Sequence, residues 1–363
     1  MNRLNQSSIE SNWVIKASFK FDVGSFSNLF TKNELIIEKH REAYQRFEDQ
    51  INAREDLLEL ASTLFGYGFN PGMVLNSVFD YSDYNGYEIL PLIDDEDLWN
   101  HDLKKYFVED AKLVTEEAYN AVYQFKDGLI ELVKYILEIG FLDYWKEEVL
   151  PDIKEKGLEF GEIFSNYNVI GAVNKLLGEG YHLKSNQLTV YLSKFAAPYG
   201  TSLQDDSFLT DISWDYKDTI SVAIHELIHP PFEREYIGQL ADKLEDDELF
   251  LKAFNSQGEL AAYNTPLRFL EENIVEGAHI YLAHQLGVVE DPLQYFIEHD
   301  DGTHVVSVII YNALMNGIRE EVSSMRGVVE RLVEDQILVS GNIKPLYEEI
   351  YKSADLADEN PYI

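Results

Sequence analysis

The stretch SVAIHELIHPP, residues 221–231, carries two histidines, His225 and His229, four positions apart. Residues at positions i and i+4 lie one above the other on a helix, so both imidazoles can reach one metal ion. Glu226 stands beside them and can take a proton from water without binding the ion itself. This HExxH spacing on a helix with uncharged neighbours is typical of a catalytic zinc site.

Two prolines limit how far this helix can continue. Pro230 and Pro231 follow the second histidine directly, and proline disfavours helical geometry at the residue before it. We therefore predict a helix that starts near Asp218 or Thr219, either of which can act as its N-cap, and ends at His229.

A catalytic zinc ion needs a third protein ligand, and the chain has no cysteine to supply one. The position six residues after His229, where one class of zinc peptidase has a third histidine, holds Glu235. A second helix is predicted over Pro266–Leu286, and its carboxylates Glu272 and Glu276 lie on one face. The third ligand can be a histidine, a glutamate or an aspartate, and the carboxylates of this second helix are our candidates.

We expect Glu272 to be the third metal ligand and Glu276 to support one imidazole from behind. The reverse assignment stays open, and Glu271 is a further alternative. His279 shares the same face of the helix. The competing interpretation is that the acidic stripe is an ordinary solvated helix face.

Composition and charge narrow the classes of function. The chain has 363 residues, 45% of them hydrophobic, and a formal net charge of −36. Such a charge argues against binding to nucleic acid or to an anionic membrane surface. The N-terminus has no apolar leader, and the most apolar late stretch, 305–318, is too short to span a bilayer. We expect a cytoplasmic protein.

Periodicity predicts a chain made mostly of helices with a few strands. The predicted segments are a strand at 13–23, helices within 32–65, a loop at 67–86, helices within 96–177, and strands at 186–195 and 207–214. The most apolar stretch, 305–318, is predicted to be a buried element.

Through His225, Glu226, His229 and the segment EENIVEG at 271–277, the chain resembles the gluzincin-type zinc metallopeptidases. Over about residues 50–320 its layout is also similar to a group of uncharacterised bacterial proteins classed as domains of unknown function. The resemblance implies a small twisted sheet packed on the HExxH helix, with the glutamate helix beneath. In that class an edge strand binds the peptide, and 188–195 is our candidate for it.

The fold class that follows is α+β and predominantly helical. We predict a helical N-terminal region over residues 1–180, serving as a scaffold or cleft wall. Residues 181–363 are predicted to form a zincin-like metallopeptidase domain.

The resemblance implies hydrolysis of peptide bonds, with Zn²⁺ held by His225, His229 and Glu272. Glu226 would act as the general base toward the attacking water. A further donor would stabilise the oxyanion, and His279 and His304 are our catalytic candidates for this role. Tyr281 and Tyr311 are the other residues considered. The expected partner is a peptide or protein substrate.

Two other classes of function stay open. One is a zinc-binding protein of the same fold that acts as a binding or regulatory module without hydrolysing anything. The other is a helical interaction protein in which the HExxH spacing is fortuitous and the two histidines merely pack on an amphipathic helix.

Overall fold

The computed structural model describes residues 10–104, 108, 116–178, 183, 185–196, 200–204, 206–229, 234–257, 265–299 and 302–363. The described chain is predominantly helical with one small mixed sheet, so the predicted α+β class is confirmed. The strands are β1 (Asn12–Ala17), β2 (Gln187–Ser193), β3 (Thr201–Leu203) and β4 (Ser207–Asp211). The helices are α1 (Phe19–Phe26), α2 (Glu34–Lys39), α3 (Arg41–Asn52), α4 (Glu55–Gly66), α5 (Pro71–Asp80), α6 (Leu90–Ile93), α7 (Glu116–Tyr123), α8 (Lys126–Glu138), α9 (Phe141–Tyr144), α10 (Leu150–Phe164), α11 (Val169–Leu177), α12 (Tyr216–Ile228), α13 (Arg234–Leu244), α14 (Glu248–Asn255), α15 (Pro266–Gln285), α16 (Pro292–Glu298), α17 (Val305–Met315), α18 (Met325–Glu334) and α19 (Ile343–Ser353).

Two compact units divide the chain, and each is made of separate stretches of sequence. The first, which we call the sheet unit, consists of Trp13–Phe164 and Gln187–Asp215. The second, the histidine unit, consists of Ser165–Asn186 and Tyr216–Ile363, with a short N-terminal segment that ends at Asn12. This division has no single boundary at residue 180, because the strands after that position belong with the N-terminal helices.

The sheet unit contains the four-stranded sheet in the order β1-β2-β4-β3. Strands β2 and β4 are parallel, with Val190 opposite Phe208, and β3 runs antiparallel to β4. Aromatic side chains from several helices form the core of this unit, and Phe26 packs 4.3 Å from Phe141 between ring centroids. Burial of large aromatic rings contributes strongly to stability.

The expectation that residues 188–195 form a free edge strand is wrong. Residues 188–193 lie in β2, which has β1 on one side and β4 on the other, and residues 194 and 195 follow the strand. The backbone donors and acceptors of an inner strand are hydrogen-bonded to its two neighbouring strands, so none remain to bind a peptide. The sheet and the histidine helix α12 also belong to different units.

Two local predictions fail for identifiable reasons. The alternating pattern at 13–23 predicts one strand, but β1 ends at Ala17 and helix α1 follows. All eight residues of α1 are buried, so the alternation of polar and apolar residues there does not mark a face exposed to solvent. The predicted loop at 67–86 contains helix α5, whose start is set by Asn70 capping the backbone N–H of Met73 and by Pro71.

Helices α15 and α17 form the centre of the histidine unit. The stretch predicted to be a buried element becomes α17, with most of its residues buried. Gly277 of α15 lets the two helices approach closely, because a Cβ built there would lie 2.7 Å from the Cβ of Ile310. Among the described residues, no helix is long and apolar enough to cross a membrane.

Candidate metal centre

Helix α12 carries His225 in its last turn, and His229 follows directly after it. The helix ends at Ile228, one residue before the predicted end, and Pro230 and Pro231 lie outside the described residues. The two imidazoles nevertheless face each other, with their Nε2 atoms 3.1 Å apart. The apolar side chains that bury the helix are Ile220, Ala223, Ile224, Leu227 and Ile228.

Helix α15 begins and ends close to where the sequence predicts. The side chain of Thr265 accepts a hydrogen bond from the backbone N–H of Arg268 at 3.3 Å, and Pro266 occupies the first turn. Proline suits this position because its missing N–H would have no helical partner there.

One face of α15 is held by α17. Asn273 is fully buried, and its Oδ1 accepts a hydrogen bond from the backbone N–H of Val306 at 3.0 Å. The hydroxyl of Ser307 donates to the backbone carbonyl of Asn273 at 2.7 Å. These bonds set the rotation of α15, and Glu272, Glu276 and His279 point toward α12.

Three side chains bring their ligand atoms together at one point. Nε2 of His225 lies 2.9 Å from Oε1 of Glu272, and Nε2 of His229 lies 3.6 Å from Oε2 of the same carboxylate. Four ligands around a tetrahedral zinc ion at its usual bond lengths are separated by about 3.3 Å. The spacings of 2.9 and 3.6 Å, with 3.1 Å between the imidazoles, therefore fit a zinc ion.

Glu276 lies behind His225. Its Oε2 is 3.1 Å from Nδ1 of His225 and 3.0 Å from Nδ1 of His279. Glu272, Glu276 and His279 are 8%, 5% and 3% exposed, so the acidic stripe is a buried face and the solvated interpretation is wrong. Buried carboxylates need partners, and here the histidines supply them.

The buried carboxylates and imidazoles of the cluster shift one another's pKa. Burial alone would lower the pKa of His225, but the carboxylates of Glu272 and Glu276 hold that pKa well above its ordinary value. Burial would raise the pKa of Glu272, and His225 and His229 instead hold it well below the ordinary value. Burial would also raise the pKa of Glu276, and His279 and His225 instead hold it well below the ordinary value, so both buried carboxylates stay ionised.

Glu226 is half-buried and follows His225 on α12. Within the described part of the chain, its carboxylate has neither a hydrogen bond nor an ion pair. It thus differs from Glu272 and Glu276, whose oxygens are engaged by histidines. A carboxylate beside the ligands and free of them can exchange a proton with water.

The candidate oxyanion donors are placed differently from one another. His279 uses both ring nitrogens inside the cluster, one toward Glu276 and one toward Ser221. His304 is buried directly before α17, with its ring 6.1 Å from that of Phe269 between centroids. The contacts of His279 thus place it in support of Glu276, and the role of His304 as an oxyanion donor stays a prediction.

Of the two tyrosines considered, Tyr311 has its hydroxyl 2.8 Å from Nδ1 of His284. Its hydroxyl is therefore engaged away from the three ligand atoms. Tyr281 lies on α15 and is partly exposed.

Sequence reasoning missed one member of the cluster, Ser221. Its hydroxyl lies 2.6 Å from Nε2 of His279. Ser221 stands one turn before His225 on α12, just as His229 stands one turn after it. The i, i+4 spacing that singles out the histidines would also have found the serine, had the pattern been extended toward the N-terminus.

Comparison with known proteins finds no matching family model, no similar curated protein and no similar solved structure. The function of this chain is therefore inferred from its own residues and geometry.

Proposed function

We propose that this chain is a zinc-dependent hydrolase that cleaves peptide bonds, with a zincin-like pairing of a histidine helix and a glutamate helix at its centre. The observation that carries the proposal is the convergence of His225, His229 and Glu272 beside a carboxylate, Glu226, that is not engaged by the cluster. Three ligands leave the fourth tetrahedral position for water or substrate, as catalytic zinc requires.

Each residue has one task in this proposal. His225, His229 and Glu272 hold the zinc ion, and Glu276 orients His225. A zinc ion supplies Lewis acidity that lets water lose a proton near neutral pH and polarises a carbonyl group. Glu226 takes a proton from the attacking water as its oxygen bonds to the carbonyl carbon. Glu226 then gives that proton to the amine nitrogen as the carbon–nitrogen bond breaks.

The first experiment is the metal content of the purified protein, measured by elemental mass spectrometry. We expect one zinc ion per chain in the wild type and none in His225→Ala. His299→Ala is the matched control, because His299 is exposed and its ring contacts Tyr295 rather than a proposed ligand. Absence of zinc from the wild type, even after reconstitution with zinc, would contradict the metal site.

The second experiment separates hydrolysis from metal binding. Glu226→Gln keeps the shape of the side chain but cannot accept the proton, so we expect it to bind zinc and to lose cleavage of a peptide library. Full activity of this variant would refute the role of Glu226. A wild type that binds zinc and cleaves no peptide would instead support the binding-module function.

A further inference from the structure

The polar contacts of the metal centre continue beyond Glu276 along the whole contact between α12 and α15. On α12 the participating positions are Ser221 and His225, and His229 follows directly after the helix, so that each lies four residues after the last. On α15 they are met in reverse order by His279, Glu276 and Glu272. The contacts are His229 with Glu272, His225 with Glu272 and Glu276, and Ser221 with His279.

We infer that Ser221 and His279 are positioning residues that hold Glu276, and through it His225, in the orientation that binds the metal. This inference rests on the proposed zinc site and names residues outside its ligand set. The chain of hydrogen bonds runs from Ser221 to His279, from His279 to Glu276, and from Glu276 to His225.

The direction of each bond follows from the groups themselves. An ionised carboxylate can only accept, so Oε2 of Glu276 takes hydrogen bonds from Nδ1–H of both His225 and His279. With Nδ1 of His279 donating to Glu276, Nε2 is available as an acceptor, and the hydroxyl of Ser221 can donate to it across 2.6 Å. When His225 binds a metal ion its ring is neutral and presents its lone pair at Nε2, on the side of Glu272 and His229.

The physical need for this support is burial. Glu276 is 5% exposed and His279 is 3% exposed, so water cannot replace a lost partner at either residue. Without His279, Oε2 of Glu276 would keep one of its two imidazole partners, and the carboxylate could rotate away from His225. Residues that orient metal ligands typically change metal affinity by about 10–100-fold when they are removed.

The test measures zinc affinity by competition with a chromophoric chelator. We expect His279→Leu to weaken zinc binding roughly 10–100-fold and Ser221→Ala to weaken it less, since the alanine leaves His279 in place. Ser221→Thr restores a hydroxyl and should recover most of the lost affinity. A purely structural role for Ser221 would not distinguish threonine from alanine in this way.

The matched control is His284→Gln. His284 lies on the same helix, and its Nδ1 is also hydrogen-bonded to a side chain of another helix, Tyr311. We expect this variant to bind zinc like the wild type. Equal loss in His284→Gln and His279→Leu would show a general effect of disturbing α15 and would overturn the inference.

Two further outcomes separate this inference from the proposed function. If wild type and His279→Leu bind zinc equally well, the positioning role fails while the zinc site stands. Two zinc ions per chain, one of them lost in His279→Leu, would make His279 a ligand and also overturn it.

If the wild type binds no zinc, the metal-free protein still tests the contacts by proton NMR. The Nδ1 protons of His225 and His279 should give exchange-protected resonances, and His279→Leu should expose the proton of His225 to exchange. A His225 proton that stays protected in this variant would refute the inference.

Discussion

Nε2 of His225 lies 2.9 Å from Oε1 of Glu272, although the two residues belong to helices joined by a long intervening segment. The contact places a buried carboxylate against the histidine pair at the end of α12. It assembles three ligand atoms from two helices that must pack antiparallel and in one register. A shift of α15 by one turn would place Glu276, instead of Glu272, beside the Nε2 atoms of His225 and His229.

The three neighbouring glutamates on α15 should differ in their effect on zinc. We expect Glu272→Gln to abolish stoichiometric zinc binding because a ligand is lost. Glu276→Gln should keep one zinc ion per chain with affinity weakened roughly 10–100-fold. Glu271→Gln removes the same charge from the adjacent position and should bind normally. Calorimetric titration with zinc measures all three, and normal binding by Glu272→Gln would rule that residue out as the third ligand.

Removal of zinc should lower the thermal stability of the protein. A ligand present at 1,000 times its dissociation constant stabilises the folded state by about 4 kcal/mol. For the histidine unit, this free energy makes the melting temperature of the zinc-bound protein roughly 10 °C higher than that of the zinc-free protein. Differential scanning calorimetry with and without chelator checks the change, and His229→Ala should show none. A melting temperature that chelator leaves unchanged in the wild type would count against the site.

Gly277→Ala should destabilise the protein at the contact between α15 and α17. An added Cβ would meet the Cβ of Ile310 and the carbonyl oxygen of Ser307, each at 2.7 Å. Overpacking of this kind costs about 1–3 kcal/mol. Gly238→Ala is the control, because its Cβ would have only an ordinary contact at 3.7 Å and should be neutral or stabilising. Urea unfolding compares the two, and equal stability of both variants would contradict the close approach.

Asp22 makes stability depend on pH in the sheet unit. Burial raises the pKa of Asp22 to about 6, against hydrogen bonds from Ser193 and Trp145 that lower it. From about pH 4 to about pH 6 the native state therefore binds more protons than the unfolded state. The contribution of Asp22 to the free energy of unfolding thus falls as pH rises, by about 3 kcal/mol in all.

Asp22→Asn has no such dependence, since asparagine is neutral at every pH. Its stability deficit relative to the wild type should therefore shrink between about pH 4 and about pH 6. Urea unfolding at several pH values measures the difference, in which other titrating groups cancel. A difference that stays constant over this pH range would refute the prediction.

Patterns in the sequence were sufficient to predict a helix where residues close together in the chain determine that helix. The helices that bear His225 and Glu272 both follow from apolar spacing, although α12 begins at Tyr216, before the two predicted N-caps Asp218 and Thr219. The same reasoning failed at α5, where Asn70 and Pro71 begin a helix inside a stretch whose composition favours a loop. It also failed at α1, because a segment buried on all sides carries no polar face to reveal its period.

The amino-acid sequence by itself determined the helical character of the chain, the i, i+4 spacing of His225 and His229, and the exclusion of cysteine as a metal ligand. Only the tertiary structure decided that Glu272 meets both histidines, that Glu276 lies behind His225, and that Ser221 reaches His279. Spacing along a helix sets which side chains share a face, and this is a property of neighbours in sequence. Which faces meet, and in which register, depends on packing such as that of Gly277 against Ile310, and this joins residues far apart in the chain.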